Sequence, residues 1–372
     1  MVYRALLDIN TDNHAYHKGL LAALKCKAAD GVAEDAEQER LLQEYKKLRE
    51  RYPKSNAVKR MPLNFLTGER FVREFGDYVK PFLRKGVPSL FSDIKPLYKD
   101  SEKAKLMGER MEENLKLLRT QQTLVGESDV EPPVTILWVL EYLANHHDIM
   151  GDRVKAIEMI DDALVYTPTV IDLHLTKARI YKHAGDFAKA SDECEIARKM
   201  DLADRFLNTM STRYALRADR RLVAESIVTL FTKDGDKQNQ HNLALFDMQC
   251  MWYEIEYGRS CLRSKAYGKA LKKLRAVHTH FIDIIEDQFD FHTYCLRKMT
   301  LRAYVELLRC EDTIYKHKFF VRAATSLIET YMALSDNPGS ADSKEEDPEL
   351  EVCVCVCVCV CLCLCVCVFS LD

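Results

Sequence analysis

Residues 144–197 read ANHHDIMGDRVKAIEMIDDALVYTPTVIDLHLTKARIYKHAGDFAKASDECEIA. Small residues return in this segment after 34 positions, since Ala144, Gly151, Ala156 and Ala163 are followed in the same order by Ala178, Gly185, Ala190 and Ala197. A period of 34 is that of tetratricopeptide repeats, which are pairs of antiparallel helices with small residues where the backbones approach closely. The segment therefore predicts an all-α fold of stacked helical hairpins, the tetratricopeptide-type α-solenoid.

The same period continues toward the C-terminus. A degenerate third repeat starts near Arg205, keeps Ala224 in phase and has Asp219 where the turn glycine would stand. A fourth repeat starts near Met251, and its Ala270 lies 46 residues after Ala224. That step is one period plus a 12-residue loop, with a polar insert at Lys233–Asn242. The insertion thus leaves the register intact, through positions Gly258, Ala270 and Leu274.

Upstream, the pattern is less regular. Leu41, Tyr45 and Leu48, closed by Pro53, predict the second helix of a hairpin, and residues 1–10 predict a helix without its partner. Proline and glycine mark boundaries by breaking helices. We accordingly divide the chain into incomplete N-terminal repeat helices (1–59), a helical linker region with a degenerate repeat (60–131), tetratricopeptide-type repeats and following helices (132–334), an acidic disordered linker (335–351) and a Val/Cys low-complexity tail (352–372).

The composition excludes several classes of protein. The 372 residues are 47% hydrophobic, and 54 basic against 57 acidic side chains leave a formal charge of −3. This rules out collagen-like and wholly disordered chains and provides no global basis for binding nucleic acid. Six of the 14 cysteines are scattered without a CxxC pair, which is typical of free thiols in a reducing compartment. With no secretory signal at the start, we expect a cytoplasmic protein.

The other eight cysteines alternate with valine or leucine in the tail. Val352–Phe369 spans 18 apolar residues, the lower edge of the roughly 17 to 25 that cross a bilayer. A GTGTGT nucleotide repeat encodes Val-Cys-Val-Cys, so we favour a translated microsatellite or an error in gene prediction. A membrane anchor and a thiol-rich metal-binding or aggregating strand are the alternatives. The favoured hypothesis predicts no membrane attachment.

Chemistry-bearing clusters are sparse. Three short groups place metal-ligand types together: His278 with His280, His292 with Cys295, and His146-His147-Asp148. Two ligands fall short of the three or four of a zinc site, and no HExxH or CxxC pair supplies the rest, so we expect no metal. The nearest approach to an acetyl-CoA phosphate loop is Arg73–Tyr78, where Tyr78 takes a place that must be small. With no Walker loop or nucleophile elbow either, we expect no catalytic residues.

One basic segment is more informative. Arg205–Arg221 contains five arginines and one acid, and the spacing of Arg213, Arg217 and Arg221 predicts one face of a single helix. The equivalent helix of the preceding repeat carries Lys177, Arg179 and Lys182, about 10 Å away if the repeats stack. Such a cluster suits a polyphosphate or an acidic partner, and the alternative is a solvated basic face.

Longer strings are more specific than the repeat pattern. They are RMPLNFLTGERF (60–71), KARIYKHAG (177–185), ADRF (203–206), MQCMW (248–252) and DQFDFHTYCLRKMTLRAY (287–304). Together these segments resemble the auxiliary subunit of the NatA N-terminal acetyltransferase complex, over almost all of residues 1–338.

The resemblance implies a non-catalytic scaffold that wraps and positions the catalytic acetyltransferase subunit and supports co-translational acetylation at the ribosome. It implies no cofactor for chemistry, but inositol hexakisphosphate as a structural ligand. The residues at the matching positions are Arg179, Lys182, Arg213, Tyr214 and Arg217, with Arg221 nearby.

The sequence also departs from that family. The family has further repeats before the position of Met1, and a basic segment with C-terminal helices beyond Pro338, where this chain has the acidic linker and the tail. Ribosome docking is expected of the full-length family through those parts. We therefore expect a fragment or mis-predicted product of the auxiliary subunit. The alternatives are a stand-alone repeat adaptor that binds peptide tails and, least favoured, a chain that transfers acetyl groups itself.

Overall fold

The structure is a computed structural model that describes residues 2–24, 35–232, 240–297 and 301–336, leaving out the side chains of 240–243, 287–297, 301 and 307. All regular secondary structure in these ranges is helical, so the all-α prediction is confirmed. The chain forms two compact units, Met1–Gly185 and Asp186–Asp372, called unit 1 and unit 2 below.

Eleven α-helices are described in unit 1, together with a 3₁₀ turn at Lys95–Lys99. They are α1 (Val2–Ile9), α2 (His14–Ala23), α3 (Asp35–Arg51), α4 (Asn56–Arg60), α5 (Pro62–Phe65), α6 (Gly68–Lys85), α7 (Leu90–Ile94), α8 (Ser101–Gln121), α9 (Val134–Met150), α10 (Arg153–Tyr166) and α11 (Ile171–His183). One apolar core runs through the unit from Leu21 to Ile180.

The N-terminal helix has a packing partner. Helix α1 packs against α2, and Leu7 is fully buried. Arg4 also pairs with Glu44 of α3 at 2.8 Å. Residues 14–23 thus form a helix that the repeat pattern did not reveal, and α1 packs on it. The prediction that residues 1–10 are a second helix without its first concerns a different partner and stays a prediction.

Eight α-helices are described in unit 2, with a 3₁₀ turn at Ile314–Lys316. They are α12 (Phe187–Met200), α13 (Arg205–Arg217), α14 (Arg221–Thr229), α15 (Gln240–Asp247), α16 (Met251–Arg263), α17 (Tyr267–Arg297), α18 (Leu301–Glu311) and α19 (Lys318–Asp336). Helix α13 packs on α12, α14 and α16, and α19 packs on both α16 and α17. Helix α16 thus lies between the repeat helices and the C-terminal helices of its unit.

The repeat period is visible in the backbone. The turns before α10, α12, α14 and α17 contain residues with left-handed φ values of 90°, 83°, 59° and 61°, at Gly151, Gly185, Asp219 and Lys265. These residues are 34, 34 and 46 positions apart. Asp219 therefore takes the place of the turn glycine, and the register survives the insertion as predicted.

The small residues are the predicted close contacts. Ala156, Ala190, Ala224 and Ala270 have no exposed surface. At Gly258, a Cβ atom would lie 2.7 Å from Cγ of Leu274, because α16 and α17 approach closely there. Small residues therefore lie at close helix contacts on both helices of the hairpins.

The predicted polar insert, linker and tail lie partly or wholly outside the described residues. Of the polar insert, residues 233–239 lie outside the description, and its last residues belong to α15. Helix α19 extends to Asp336, two residues into the predicted linker, and the remaining linker and the Val/Cys tail lie outside the described residues. Within the described ranges, no helix has both the length and the apolar composition to cross a membrane.

Candidate functional site

Two arginines of α13 lie against one face of α16. The Arg213 guanidinium sits 4.8 Å from the centre of the Trp252 ring, in cation–π geometry. One turn further along, Arg217 donates from Nη2 and Nε to the two carboxylate oxygens of Glu256, at 2.7 and 3.2 Å. This bidentate pair fixes the guanidinium plane, as the fork of arginine allows.

Arg221 contacts α16 one turn beyond Glu256, but it belongs to a different helix from Arg213 and Arg217. It begins α14 and donates to the backbone carbonyl of Ser260 at 3.3 Å and to the hydroxyl of Ser264. The prediction that Arg213, Arg217 and Arg221 share one face of a single helix is therefore wrong. Helix α13 ends at Arg217, because the repeat turn at Asp219 follows it.

A second guanidinium reaches the Glu256 carboxylate from α19. Arg322 Nη2 donates to Glu256 Oε1 at 3.2 Å, while Glu256 itself is 5% exposed. Burial raises the pKa of Glu256, but the hydrogen bond of Arg217 and the charges of both arginines outweigh it, so the pKa lies below its usual value. The carboxylate is therefore ionised at neutral pH.

The cluster has more positive than negative charge. Among the described side chains, Arg217 and Arg322 pair with the single carboxylate of Glu256, and Arg213 lies close enough to feel its charge. Burial lowers the pKa of Arg213, and the charges of Arg217 and Arg322 lower it further while Glu256 opposes them. Tyr214, 3% exposed, lies beneath Arg217, whose guanidinium is 6.0 Å from its ring centre. We call Arg213, Arg217, Arg322 and Glu256 the arginine cluster.

Two of the predicted anion-binding residues, Arg179 and Lys182, belong to α11 of unit 1. Arg179 is exposed and donates to Oδ1 of Asn145 at 3.0 Å, and Lys182 is half-buried on the same helix. Lys177 instead pairs with Asp161 at 3.0 Å. Positions two apart on a helix face different directions, so Lys177 does not extend a basic face with Arg179.

Sequence reasoning missed Arg322 and Glu256. Arg322 lies on α19, beyond the last helix in the 34-residue register, so no spacing relates it to Arg213 or Arg217. Glu256 is one of two acids within a helix of mixed composition, and nothing in the sequence distinguishes it from Glu254. Only the packing of α13, α16 and α19 brings these side chains together.

The residues of metal-ligand type named from the sequence make contacts with other side chains. His146 Nδ1 bonds the Tyr98 hydroxyl at 2.9 Å, and Asp148 pairs with His183 at 2.6 Å. His280 lies 3.0 Å from Glu254 in the core of unit 2, while the side chains of His292 and Cys295 lie outside the described residues. In the part of the chain that the structure describes, no three His, Cys, Asp or Glu side chains form a group able to hold a metal ion.

The segment nearest to a cofactor loop is helical. Arg73–Tyr78 lies within α6, where backbone N–H groups are hydrogen-bonded along the helix. The four described cysteines, Cys194, Cys250, Cys261 and Cys310, are free thiols, as predicted for the scattered set. Burial raises the pKa of Cys261 to about 11, which makes that thiol a poor nucleophile.

Comparison with known proteins points to one family. Residues 1–353 match the family described as N-terminal acetyltransferase A, auxiliary subunit. The chain is 44% identical to the N-terminal acetyltransferase A complex auxiliary subunit NAA15 of Arabidopsis thaliana, over 93% of this chain and 38% of that protein. It is 39% identical to the human N-alpha-acetyltransferase 16, NatA auxiliary subunit, over 93% of this chain and 39% of that protein.

The fold is similar to that of a solved complex, the structure of Naa15/Naa10 bound to HypK-THB. The TM-score is 0.79 at 36% identity, over 91% of this chain and 49% of the other. This likeness confirms the predicted α-solenoid class. The chain thus spans less than two fifths of the length of the two relatives and about half of the solved chain.

Proposed function

The chain belongs to the family of auxiliary subunits of the N-terminal acetyltransferase A complex, and from this we propose that it is a scaffold that binds the catalytic subunit. The observation that carries the proposal is the likeness, at a TM-score of 0.79, to a structure that contains Naa15 together with Naa10. The family is that of the auxiliary subunit, so the predicted non-catalytic class is confirmed.

Co-purification tests this role directly. We expect the tagged full chain, co-expressed with Naa10, to elute with it as one species in size-exclusion chromatography. The chain expressed alone, with its helical content measured by circular dichroism, is the control for folding. A folded chain that leaves Naa10 behind and retains other proteins by their peptide tails would instead support the adaptor alternative.

The finer part of the proposal is that the complex acts in the cytoplasm on nascent chains. The support is again the family, whose members named above are auxiliary subunits of an N-terminal acetyltransferase. We expect Naa10 to acetylate a peptide with N-terminal serine faster with the chain than without it, and the chain alone to show no acetyl-CoA turnover. Ribosome association is measured separately, by co-sedimentation of the complex with ribosomes.

We also propose that the arginine cluster of unit 2 binds a polyphosphate, with Arg213 and Arg217 as ligands and inositol hexakisphosphate as the compound that the family resemblance suggests. The support is the excess of guanidinium groups over carboxylates around Glu256. Arg221, Tyr214, Arg179 and Lys182 stay predictions from the resemblance. A rise in the melting temperature of the full chain with inositol hexakisphosphate is expected, and no shift at millimolar concentration would contradict the site.

A further inference from the structure

Within the arginine cluster, Arg322 and Arg217 are joined by the Glu256 carboxylate, which accepts hydrogen bonds from both. Glu256 Oε1 accepts from Nη2 of Arg217 at 2.7 Å and from Nη2 of Arg322 at 3.2 Å, while Glu256 Oε2 accepts from Nε of Arg217. The side chain of Arg322 is 39% exposed and that of Arg217 is 26% exposed. One buried carboxylate thus holds two guanidinium groups that also reach solvent.

Both arginines keep donors for another anion. A guanidinium has five N–H donors, and the contacts to Glu256 use two donating nitrogens of Arg217 and one of Arg322. Arg213 makes no hydrogen bond or ion pair with any described side chain and stacks on Trp252. Among the described side chains, three guanidinium groups with donors left over therefore belong to one cluster, and a single carboxylate compensates their mutual repulsion.

We propose that Arg322 is a phosphate-binding residue of the unit 2 anion site, and that Glu256 is the internal counter-ion that positions Arg217 and Arg322 and opposes the charge of the ligand. This inference rests on the proposed polyphosphate site and adds one binding residue and one regulating charge to it. The ligand class is a soluble polyphosphate, because several anionic groups are needed to engage three separate guanidinium groups.

The two residues have opposite expected effects. Loss of the Arg322 guanidinium removes a charge-assisted hydrogen bond to the ligand, and we expect affinity to fall about tenfold. Glu256→Gln removes a negative charge beside the ligand yet keeps an oxygen that accepts from Arg217. We expect it to raise affinity roughly threefold, since like charges repel across the cluster. If Glu256 had a purely structural role, Glu256→Gln would lower the affinity, as Arg322→Gln does.

The test is isothermal titration of the full chain with inositol hexakisphosphate at fixed salt. The variants are Arg322→Gln, Arg322→Lys and Glu256→Gln. Arg302→Gln is the matched control, because Arg302 is 95% exposed and pairs with Glu306, one turn further along α18. Arg322→Lys keeps the charge without the fork and should lose only a few-fold in affinity. Each melting temperature is recorded, and Arg322→Lys replaces Arg322→Gln if the latter does not fold.

The outcomes separate the two proposals. Absence of binding by the unchanged chain contradicts the polyphosphate site itself. If Arg322→Gln weakens binding no more than Arg302→Gln does, the polyphosphate site stands but the role of Arg322 is overturned. If Glu256→Gln weakens binding as much as Arg322→Gln does, the counter-ion role of Glu256 is overturned. Retention on phosphatidylinositol bisphosphate vesicles, without binding of the free compound, overturns the assignment of a soluble ligand.

Discussion

Glu141 in unit 1 and Glu256 in unit 2 are buried to a similar extent, at 8% and 5% exposure, but they differ in charge state. Glu141 accepts a hydrogen bond from the Thr176 hydroxyl at 3.2 Å, while the nearest arginine, Arg179, bonds to Asn145 instead. Burial consequently raises the pKa of Glu141 to about 7. The pKa of Glu256 is lowered because two guanidinium groups outweigh burial. The partner, more than the depth, decides whether a buried acid is ionised.

The largest expected effect comes from removing those partners. Arg217→Met leaves the buried Glu256 carboxylate with only Arg322, and removal of one member of a buried ion pair costs about 3–5 kcal/mol of unfolding free energy. Thr176→Val removes one neutral donor from Glu141, which then takes up a proton, so we expect a loss of about 1 kcal/mol. Urea unfolding at pH 7 measures both.

Arg302→Met is the control for loss of an arginine, because that side chain is 95% exposed and its pair with Glu306 contributes little. Equal losses for Arg217→Met and Thr176→Val would show that the two carboxyl groups are in the same state after all. The contrast between the units would then reduce to burial alone.

Much of the fold follows from local spacing. The period of 34 places Ala156, Ala190 and Ala224 at buried helix contacts and Asp219 at a turn, because each hairpin repeats the same packing. The same period implies that a helix ends before Asp219. Arg221, which follows that turn, therefore belongs to the next helix. The α1–α2 pair was missed because neither helix carries a repeat signature.

The site was less predictable than the fold. Arg213 and Arg217 stand out as a local concentration of charge, and the family resemblance marks them as well. Glu256 and Arg322 do not, since their roles depend on contacts between residues 66 positions apart. Hydrogen bonds between distant side chains carry no periodic signal, and only the packing of α16 and α19 creates this one.

A pH series sharpens the comparison between the two acids. The pKa of Glu141 is higher in the folded protein, at about 7, than its ordinary value of 4.5, so the folded state binds more protons between these values. Stability from this group is therefore lost as pH rises from about 4.5 to 7, by roughly 3 kcal/mol in total. Glu141→Gln should remove this loss in denaturation curves measured across that range.

The variant must be compared with the unchanged chain at every pH. Burial, and then the charge of His147, lowers the pKa of His146 to about 4. The contribution of His146 to the stability of the folded protein is therefore lost as pH falls through the same range, which masks the effect of Glu141. Glu256→Gln is the matched control. Since the pKa of Glu256 is lowered, its contribution is lost only as pH falls below about 4.5. A Glu141→Gln difference that stays flat from pH 4.5 to 7 would contradict the raised pKa.

The smallest effects concern the turns, where the units also differ. Gly151 in unit 1 has a φ of 90° and Lys265 in unit 2 has a φ of 61°, and a Cβ at Gly151 would meet no atom within 4 Å. Gly151→Ala therefore isolates the cost of the left-handed backbone, about 1–2 kcal/mol. Lys265→Gly relieves that strain, but the glycine gains freedom in the unfolded chain, so we expect a gain of only about 0.5 kcal/mol. Thermal unfolding should lower the melting temperature of the first variant and raise that of the second slightly. A fall in both would show that the Lys265 side chain stabilises its turn by contacts that offset the strain.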